Sequence, residues 1–449
     1  MNLTIKKRNH LRYEQFIVLG YLIIILTGGM LLSLPISSRS GAWTPFLNSI
    51  FTATSATCVT GLVVYDTYTY WSLFGQLVIL TMIQIGGLGF MTVITLLSIF
   101  LKRNIGLHER KLLMMSAGSP VISGVVRLIR RVALGTFLIE SIGALILATQ
   151  FCPQMGLEAG LYNALFHSVS AFCNAGFDIL GRYGAFCSLT IYQDNPVVLL
   201  TVASLIVIGG IGFFVWNDIL IHKFHFKKYQ LHTKIVLTVT AFLIFSGALL
   251  LFFFEYEHSF SALTLSDKIT SAIFQSVTPR TAGFNSVPMS ELSESGHLLT
   301  MILMFIGGSP GSTAGGIKVT TFAVLLLGAA ASARNESHIT TFKRRLDDSI
   351  VKQASAIFFI YLTLVILSTL LICSFQPFEL EDVLFETISG LGTVGLSRGI
   401  TTSLNQHSRI IIMLLMFAGR VGGLTLALVL AEKRTHAILN RPIEKIMIG

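Results

Sequence analysis

The chain has 449 residues, of which 53% are hydrophobic and only 12% are charged, and its mean hydropathy is +0.74. This number of charged side chains is too small to cover the surface of a soluble protein of this length. The composition therefore predicts a polytopic membrane protein. The apolar runs are far longer than the strands of a membrane barrel, which leaves α-helices as the spanning elements.

The net charge of +10 does not indicate a nucleic-acid partner, because most of the basic residues cluster in alternate loops. Four Lys and Arg residues precede residue 13, seven lie in 102–131, four in 222–234, five in 330–352 and four after 432. By the positive-inside rule these segments and both termini are cytoplasmic, and the loops between them lie outside. Contact with lipid headgroups is a second interpretation of the same charges.

The first apolar run, residues 16–34, is long enough to span a bilayer. It is predicted to be the first transmembrane helix rather than a cleaved signal peptide. The five cysteines are odd in number and lack metal-ligand spacing, so neither a disulfide framework nor a zinc site is predicted.

Along the chain, one arrangement is predicted four times: an outer helix, a short helix, a loop ending in glycine, and a helix that returns to the cytoplasm. The outer helices are predicted at residues 14–34, 132–151, 233–254 and 353–374. The returning helices are predicted at 72–101, 196–221, 297–329 and 406–430. The short helices, which are re-entrant because they are too short to span, are predicted at 45–56, 158–171, 267–278 and 379–389.

These elements predict an all-α membrane fold with four pseudo-symmetric repeats around a central pore, comprising eight spanning helices and four pore helices. The repeats are 1–131 with a cytoplasmic linker, 132–232, 233–352, and 353–449 with a C-terminal tail. Each pore helix carries a phenylalanine 9 or 10 residues before the loop glycine. Four such residues in register predict a repeated structural anchor: Phe51, Phe166, Phe274 and Phe385.

The glycine that ends each loop is the residue most informative about chemistry. Glycine reaches backbone angles closed to other residues, and rings of backbone carbonyls replace the hydration shell of K+ in a selectivity filter. The sequence therefore predicts a K+ site at the four glycines, with the C-terminal ends of the pore helices directing partial negative charge at the ion. The predicted filter comprises Cys58, Val59, Thr60 and Gly61; Cys173, Asn174, Ala175 and Gly176; Arg280, Thr281, Ala282 and Gly283; and Gly392, Thr393, Val394 and Gly395.

The four loops are not equivalent. Residues 393–395 read Thr-Val-Gly, the first half of the TVGYG signature of potassium channels, but Leu-Ser follows at 396–397. The other loops keep only the glycine in register, so we expect one strong ring of ligands and less strict selectivity. Beyond the first two loops, Asp66 and Asp178 are predicted at the outer mouth, where they either concentrate cations or are ordinary surface carboxylates.

A Gly-rich site follows the filter glycines by 25, 33, 24 and 24 residues. In the third repeat this site is too rich in Gly and Pro for a regular helix, and broken backbone at membrane depth requires surrounding protein or a water-filled cavity. It is predicted to be a flexible obstruction beneath the filter, a gate. The gate comprises Gly307, Gly308, Ser309, Pro310, Gly311, Ser312, Thr313, Ala314, Gly315, Gly316 and Lys318.

This segment resembles a Walker A loop but does not satisfy its pattern. Ile317 separates Gly316 from Lys318, and Val319 stands where Ser or Thr is required. Nucleotide binding by this chain is therefore not predicted.

Arg420 occupies the position in the fourth repeat that Gly87 and Gly210 fill in the first two. An arginine within a spanning helix is costly, so it is predicted to face the interior or a cavity as part of the gate, with a loop carbonyl or a carboxylate as partner. Snorkelling to the interface is the alternative. Glu140 is the other charge predicted inside the membrane, and whether it pairs with Arg420 or Lys318 stays open.

Together, the four filter loops, the Gly-Gly-Ser-Pro-Gly-Ser-Thr-Ala-Gly-Gly-Ile-Lys segment at 307–318 and Arg420 resemble the Trk/Ktr/HKT superfamily of potassium transporters. The resemblance covers essentially the whole chain and is strongest to the bacterial Ktr membrane subunit. It implies a homodimer in a bacterial plasma membrane, with one pore in each protomer and the filter glycines, gate and arginine as assigned above.

The resemblance also implies an activity and a partner. The activity is K+ uptake activated by Na+, in support of K+ homeostasis and osmotic adaptation. The partner is a cytoplasmic ring of regulatory subunits, which bind the nucleotide, so no covalent cofactor is expected here. In that superfamily a serine at the first filter position accompanies Na+ transport, and Gly61 at this position favours K+.

Two other functional classes are alternatives to a passive, gated pathway. A coupled secondary transporter with a broken-helix site at the midplane is compatible with the interrupted third repeat, although such folds usually contain inverted repeats. A membrane enzyme would require a polar catalytic cluster at one depth, and the intramembrane ionisable residues are single and scattered.

Overall fold

The computed structural model describes residues 13–101, 124–223, 225–422 and 444. Most of the predicted linker at 102–131, and the predicted helix and tail beyond residue 422, lie outside these described residues. Within them the protein is mostly helical, as the sequence predicted. An antiparallel pair of two-residue strands, β1 (Thr340–Thr341) and β2 (Arg344–Arg345), is a small departure from the predicted all-α fold.

The outer helices are long and apolar. They are α1 (Tyr13–Ser33), α6 (Val125–Met155), α10 (Leu231–Glu255) and α14 (Asp348–Phe375). Among the described residues, these are the unbroken helices whose length and hydropathy suffice to cross a membrane. About a third or less of their most apolar stretch is buried inside the protein, which leaves the remaining side chains to face lipid.

Each outer helix packs against a short helix that precedes a filter loop. These pore helices are α2 (Phe46–Cys58), α7 (Leu157–Phe172), α11 (Leu265–Val277) and α15 (Leu380–Gly392). The anchors Phe51, Phe166, Phe274 and Phe385 are completely buried. The pore helices are therefore held inside the protein by their aromatic side chains, while their C-terminal ends lead into the filter loops.

The helices that follow the filters begin at polar N-caps. The side chains of Ser72, Asn195, Ser293 and Asn405 each accept a hydrogen bond from a backbone N–H of the first turn. Such caps satisfy N–H groups that have no partner within the helix and fix where each helix starts. The returning helices thus begin at equivalent points in all four repeats.

The first two returning helices differ from the predicted continuous spans. The first consists of α4 (Leu73–Leu88) and α5 (Phe90–Phe100), and the second of α8 (Pro196–Gly210) and α9 (Phe213–His222), which are bent by 93°. The third consists of α12 (Glu294–Phe305) and α13 (Val319–Ala333), and the fourth is described as α16 (Gln406–Val421).

In the described residues, the first segment ends at the Gly-rich site in every repeat, not only in the third. Gly89, Gly212 and Gly422 follow the first segments with φ of +81°, +96° and +92°. A positive φ ends a right-handed helix, and glycine adopts it without the steric penalty that a β carbon brings.

Candidate functional site

The four filter glycines form a closed ring. A β carbon built on Gly61 would lie 2.6 Å from the carbonyl oxygen of Ala175, and one on Gly176 would lie 2.7 Å from that of Ala282. A β carbon on Gly283 would collide with the carbonyl oxygen of Val394 in the same way, and one on Gly395 with that of Thr60. Each glycine thus abuts the carbonyl that precedes the next repeat's glycine, and the fourth repeat returns to the first.

Backbone conformation explains why glycine is required at these positions. The φ angles of Gly61, Gly176, Gly283 and Gly395 are +95°, +69°, +80° and +95°, a region that other residues rarely adopt. The contacts leave no space for a β carbon either. Four carbonyls from four repeats are therefore brought together around one point, the arrangement that can replace the hydration shell of a cation.

A second left-handed residue lies two positions before each glycine. These residues are Val59, Asn174, Thr281 and Thr393, with φ of 57°, 59°, 75° and 50°. Three of the four are β-branched, and a non-glycine residue held in this region costs roughly 1–3 kcal/mol. Such strain persists only where the surrounding structure holds the loop, so the filter backbone depends on its neighbours for its shape.

The innermost predicted filter residues are buried in the scaffold. Cys58 and Cys173 are fully buried, and Gly392 packs against the carbonyl oxygen of Met304 in α12. The Arg280 guanidinium donates a hydrogen bond to the Thr240 hydroxyl of α10, at 3.4 Å.

A cavity of about 360 Å3 lies outside the ring and is lined by all four filter glycines. Asp178 lines it and is only partly exposed, and burial together with the nearby Asp66 raises the pKa of its carboxyl to about 7. Asp66 has a different position: it is buried, caps α3 (Thr67–Tyr70) and accepts a hydrogen bond from the backbone N–H of Phe186 at 2.9 Å. Of the two predicted mouth carboxylates, Asp178 is the one that faces the cavity.

The cavity also carries a positive residue that the sequence did not single out. Arg398 lines it and pairs with Glu381 at 2.7 Å and with Asp382 at 3.1 Å, both in the first turn of α15. The hydrogen bond from Arg398 holds the pKa of Glu381 below its usual range. These two carboxylates balance the charge of Arg398. Asp178, which also lines the cavity, is not part of this ion-pair group.

Beneath the ring lies the loop of residues 306–318, which contains the residues predicted to be a gate. The two ends of this loop meet, since the backbone N–H of Gly307 donates to the carbonyl of Ile317 at 2.9 Å. A β carbon built on Gly315 would collide with the Thr393 hydroxyl, which places the loop directly against the inner end of the filter. The Lys318 ammonium donates to the carbonyl of Ala314 at 2.7 Å, within the same loop.

The loop is also tied to the break in the second returning helix. Its Ser309 N–H donates to the carbonyl of Gly210 at 3.0 Å, and the Phe213 N–H donates to the carbonyl of Gly311 at 2.8 Å. The gap between α8 and α9 and the loop of the third repeat therefore satisfy each other's backbone groups.

Arg420 faces the interior and connects this loop to the first repeat. Its guanidinium donates to the carbonyls of Thr313 and Gly86, and to that of Gly87 at 3.3 Å. The partners are thus carbonyls, the first of the two kinds of partner predicted. Glu140 pairs with neither Arg420 nor Lys318; its carboxylate accepts from the Gln84 amide at 3.1 and 3.2 Å.

The Gly-rich sites allow the returning helices to approach the pore helices closely. A β carbon at Gly86, Gly209 or Gly419 would collide with the carbonyl oxygen of Thr57, Phe172 or Leu391, four residues before the filter glycine of the same repeat.

A family model described as TrkH, cation transport protein, matches residues 8–437.

The chain belongs to the TrkH family of cation transport proteins.

Curated relatives of this TrkH-family chain align over nearly its whole length. It is 39% identical to the potassium/sodium uptake protein NtpJ of Enterococcus hirae, covering 98% of each chain. It is also 39% identical to the Ktr system potassium uptake protein B of Bacillus subtilis, covering 94% of this chain and 95% of the relative. The corresponding protein of Vibrio alginolyticus is 34% identical over 97% of this chain and 94% of the relative.

The fold agrees with a solved TrkH-family structure. The crystal structure of the potassium transporter TrkH from Vibrio parahaemolyticus superposes with a TM-score of 0.75, at 17% identity, over 95% of this chain and 86% of that one. The TrkH-family fold is thus retained at low sequence identity, and the protein is a multi-pass membrane protein.

Proposed function

We propose that this chain is the membrane subunit of a potassium uptake system, in which K+ passes down its electrochemical gradient through the carbonyl ring. The observation that carries the proposal is the closed contact of four glycines with four neighbouring carbonyls. The ring offers oxygen ligands in place of water, and it is exposed to the outer cavity that Asp178 faces.

The proposal includes a gate. Residues 306–318 lie against the inner end of the filter and are held by hydrogen bonds to the second repeat and to Arg420. A loop held by such contacts is closed until something releases it. We propose a cytoplasmic ring of nucleotide-binding regulatory subunits for that role, with activation by Na+. Relatives named as Ktr system proteins support the existence of a partner subunit.

The assembly is proposed to be a homodimer in a bacterial plasma membrane, with eight spans per chain if each broken returning helix is counted as one. Gly61 supports K+ over Na+ as the transported ion, because a side chain here would push against the carbonyl of Ala175 and distort one quarter of the ring.

The test compares Gly61→Ser with Gly41→Ser in cells that lack their own K+ uptake, with and without a Ktr-type regulatory subunit. Both glycines have positive φ, but a β carbon at Gly41 meets nothing within 4 Å. We expect the wild type and Gly41→Ser to restore growth at low K+. Gly61→Ser should lose at least about fivefold in the ratio of K+ to Na+ uptake, since a forced rearrangement of a packed site costs about 1–3 kcal/mol.

Two results would contradict the proposal. One is a wild-type protein that is present in the membrane with its regulator yet gives no K+ uptake. The other is a Gly61→Ser variant that transports K+ with an unchanged preference over Na+.

A further inference from the structure

A buried hydroxyl at or near the C-terminal end of each pore helix bonds to the backbone of its own filter loop. We call Ser55, Ser170, Thr278 and Ser389 the filter hydroxyls. Three of them lie six residues before the filter glycine and Thr278 lies five before it, and all four are fully buried. The same feature thus recurs in every repeat, although the sequences of the loops differ.

The filter hydroxyls act in two ways. Ser55 accepts a hydrogen bond from the backbone N–H of Gly61 at 3.0 Å, and Ser389 accepts one from that of Gly395 at 3.1 Å. In the second and third repeats the direction is reversed: Ser170 donates to the carbonyl of Phe177 at 2.7 Å, and Thr278 donates to the carbonyl of Phe284. Repeats one and four are therefore held at the glycine, and repeats two and three at the residue that follows it.

The accepting pair fixes the peptide groups that supply the ring. In a planar trans peptide the N–H and the preceding C=O point in opposite directions. Because Ser55 holds the Gly61 N–H on the scaffold side, the carbonyl of Thr60 is turned the other way, where it abuts Gly395. Ser389 does the same for the carbonyl of Val394, which abuts Gly283.

A second set of hydroxyls on the same helices provides an internal comparison. Two residues before the filter hydroxyl, Ser168, Ser276 and Thr387 bond to the outer helices instead. Ser168 donates to the carbonyl of Glu140 at 2.6 Å, Ser276 to that of Ile244 at 2.8 Å, and Thr387 pairs with the Thr369 hydroxyl at 2.9 Å. Residues two apart on a helix are about 200° apart around its axis, so the two sets face opposite sides.

We propose that the filter hydroxyls are positioning residues that set the K+ over Na+ preference of the ring, with Ser55 and Ser389 making the larger contribution. Each loop contains two residues with positive φ, and the filter hydroxyl is a fixed contact that holds this strained backbone from the rear. Without it, the peptide group is free to rotate and the oxygen leaves the ring. This inference rests on the proposed potassium filter.

The test uses Ser55→Ala and Ser389→Ala, with Ser168→Ala as the control, in the full chain expressed with its regulatory partner. The measurement is the ratio of K+ to Na+ uptake, which does not depend on how much protein is present. We expect each of the first two variants to lower this ratio roughly threefold to tenfold, the effect of one lost hydrogen bond. Ser168→Ala should keep the wild-type ratio even if it lowers the amount of protein.

Substitutions at Thr278 separate the effect of the hydroxyl on the uptake ratio from the effect of side-chain volume. Thr278→Val removes the hydroxyl at constant shape, and Thr278→Ser keeps it. We expect a lower ratio for Thr278→Val, by less than in Ser55→Ala, and the wild-type ratio for Thr278→Ser. This pair decides the question if Ser55→Ala or Ser389→Ala does not reach the membrane.

Unchanged ratios in the filter-hydroxyl variants, or an equal shift in Ser168→Ala, would overturn this inference while leaving the potassium filter intact. Failure of the wild type to take up K+ would instead overturn the proposed function.

Discussion

At the scale of single residues, the outer mouth is electrically asymmetric. Arg398 is balanced by Glu381 and Asp382. Asp178 faces the cavity and, within the described part of the chain, accepts a hydrogen bond only from the Leu180 N–H, at 3.1 Å. Asp66, which contributes to the raised pKa of Asp178, is engaged with backbone N–H groups. With the topology proposed here, Asp178 is the carboxylate through which external pH would act on an approaching cation.

We predict that the KM for K+ rises as external pH falls from about 8 to 6. The pKa of Asp178 is raised to about 7, so the carboxylate is charged above that pH and attracts K+, and this attraction is lost as it protonates below it. A unit charge acting across about 10 Å contributes about 0.4 to 1.7 kcal/mol, depending on the dielectric constant, which corresponds to a change of roughly twofold to fifteenfold.

The variants separate this effect from a general loss of activity at low pH. Asp178→Asn should have, at every pH, the high KM that the wild type reaches at low pH. Its KM should therefore not depend on pH. Asp194→Asn, an exposed carboxylate in the same outer segment that does not line the cavity, should behave as the wild type. An Asp178→Asn variant that retains the full pH dependence would show that another group is responsible.

The ring glycines were predictable from the sequence because a filter needs glycine at one position, and four glycines in register are visible without a structure. The contacts that hold the ring were not predicted. Arg398 appeared only as an isolated charge in a loop, and its role depends on α15 turning two carboxylates towards it. The filter hydroxyls did leave a signal, the pairs Ser168/Ser170 and Thr387/Ser389 at a spacing of two, but which side of a short helix faces the filter requires the packed structure.

At the scale of elements, the breaks in the returning helices are the main difference from the sequence prediction. Gly89 and Gly212 fall inside helices predicted to be continuous, yet they adopt positive φ and follow the ends of α4 and α8. A glycine within an apolar run serves either purpose, and the pattern does not distinguish them. Only the third break was evident, because Pro310 and several glycines occur together there.

The breaks also explain how one loop is held by several repeats. Residues 306–318 bond to the gap after α8, and Arg420 at the end of α16 reaches both this loop and the end of α4. For the proposed gate, release of a small number of contacts at the ends of the returning segments would therefore suffice for opening.

We predict that Arg420→Gln raises K+ uptake measured without the regulatory subunit by at least roughly fivefold. Its guanidinium donates to the carbonyls of Thr313 and Gly86, and hydrogen bonds to charged groups contribute about 1.5–3 kcal/mol each. Because the contacts hold the loop in its place beneath the filter, their loss favours release of the loop. Uptake of a K+ tracer in cells or vesicles measures the change.

Arg409→Gln is the matched control for Arg420→Gln. It removes a guanidinium from the other end of α16, where Arg409 donates to Asn48 at 2.6 Å and to the carbonyl of Thr402 at 3.1 Å. This control should leave dependence on the regulator unchanged. An Arg420→Gln protein that is present at normal abundance with no added uptake would contradict a closing role for this arginine.

At the scale of the whole molecule, the order of the repeats around the ring follows the order along the chain. The contacts run from the first glycine to the second repeat, then to the third and fourth, and back to the first. Four units of one kind arranged in sequence order share one orientation, with every filter loop at the same depth. All filters therefore open to one side of the membrane, and the charge of the connecting segments determines which side that is.

We predict that the outer cavity faces the cell exterior and that β1 and β2 face the cytoplasm. Segments 222–234 and 330–352, which connect the repeats on the side away from the filters, carry nine Lys and Arg residues, and such loops remain in the cytoplasm. Ser40, exposed between α1 and α2, and Ser337, exposed before β1, are suitable positions for a single cysteine on each side. Ser40→Cys should react with a membrane-impermeant maleimide on intact cells, and Ser337→Cys only after the membrane is permeabilised.

The background for this labelling replaces the partly exposed Cys152, Cys187 and Cys373 with serine, while the buried Cys58 and Cys173 stay in place. This background protein without an added cysteine should remain unlabelled, which provides the control. Reaction of Ser337→Cys on intact cells would place the basic segments outside. The ring would then open to the cytoplasm, and the residues proposed to face external K+, Asp178 among them, would lie on the wrong side for uptake.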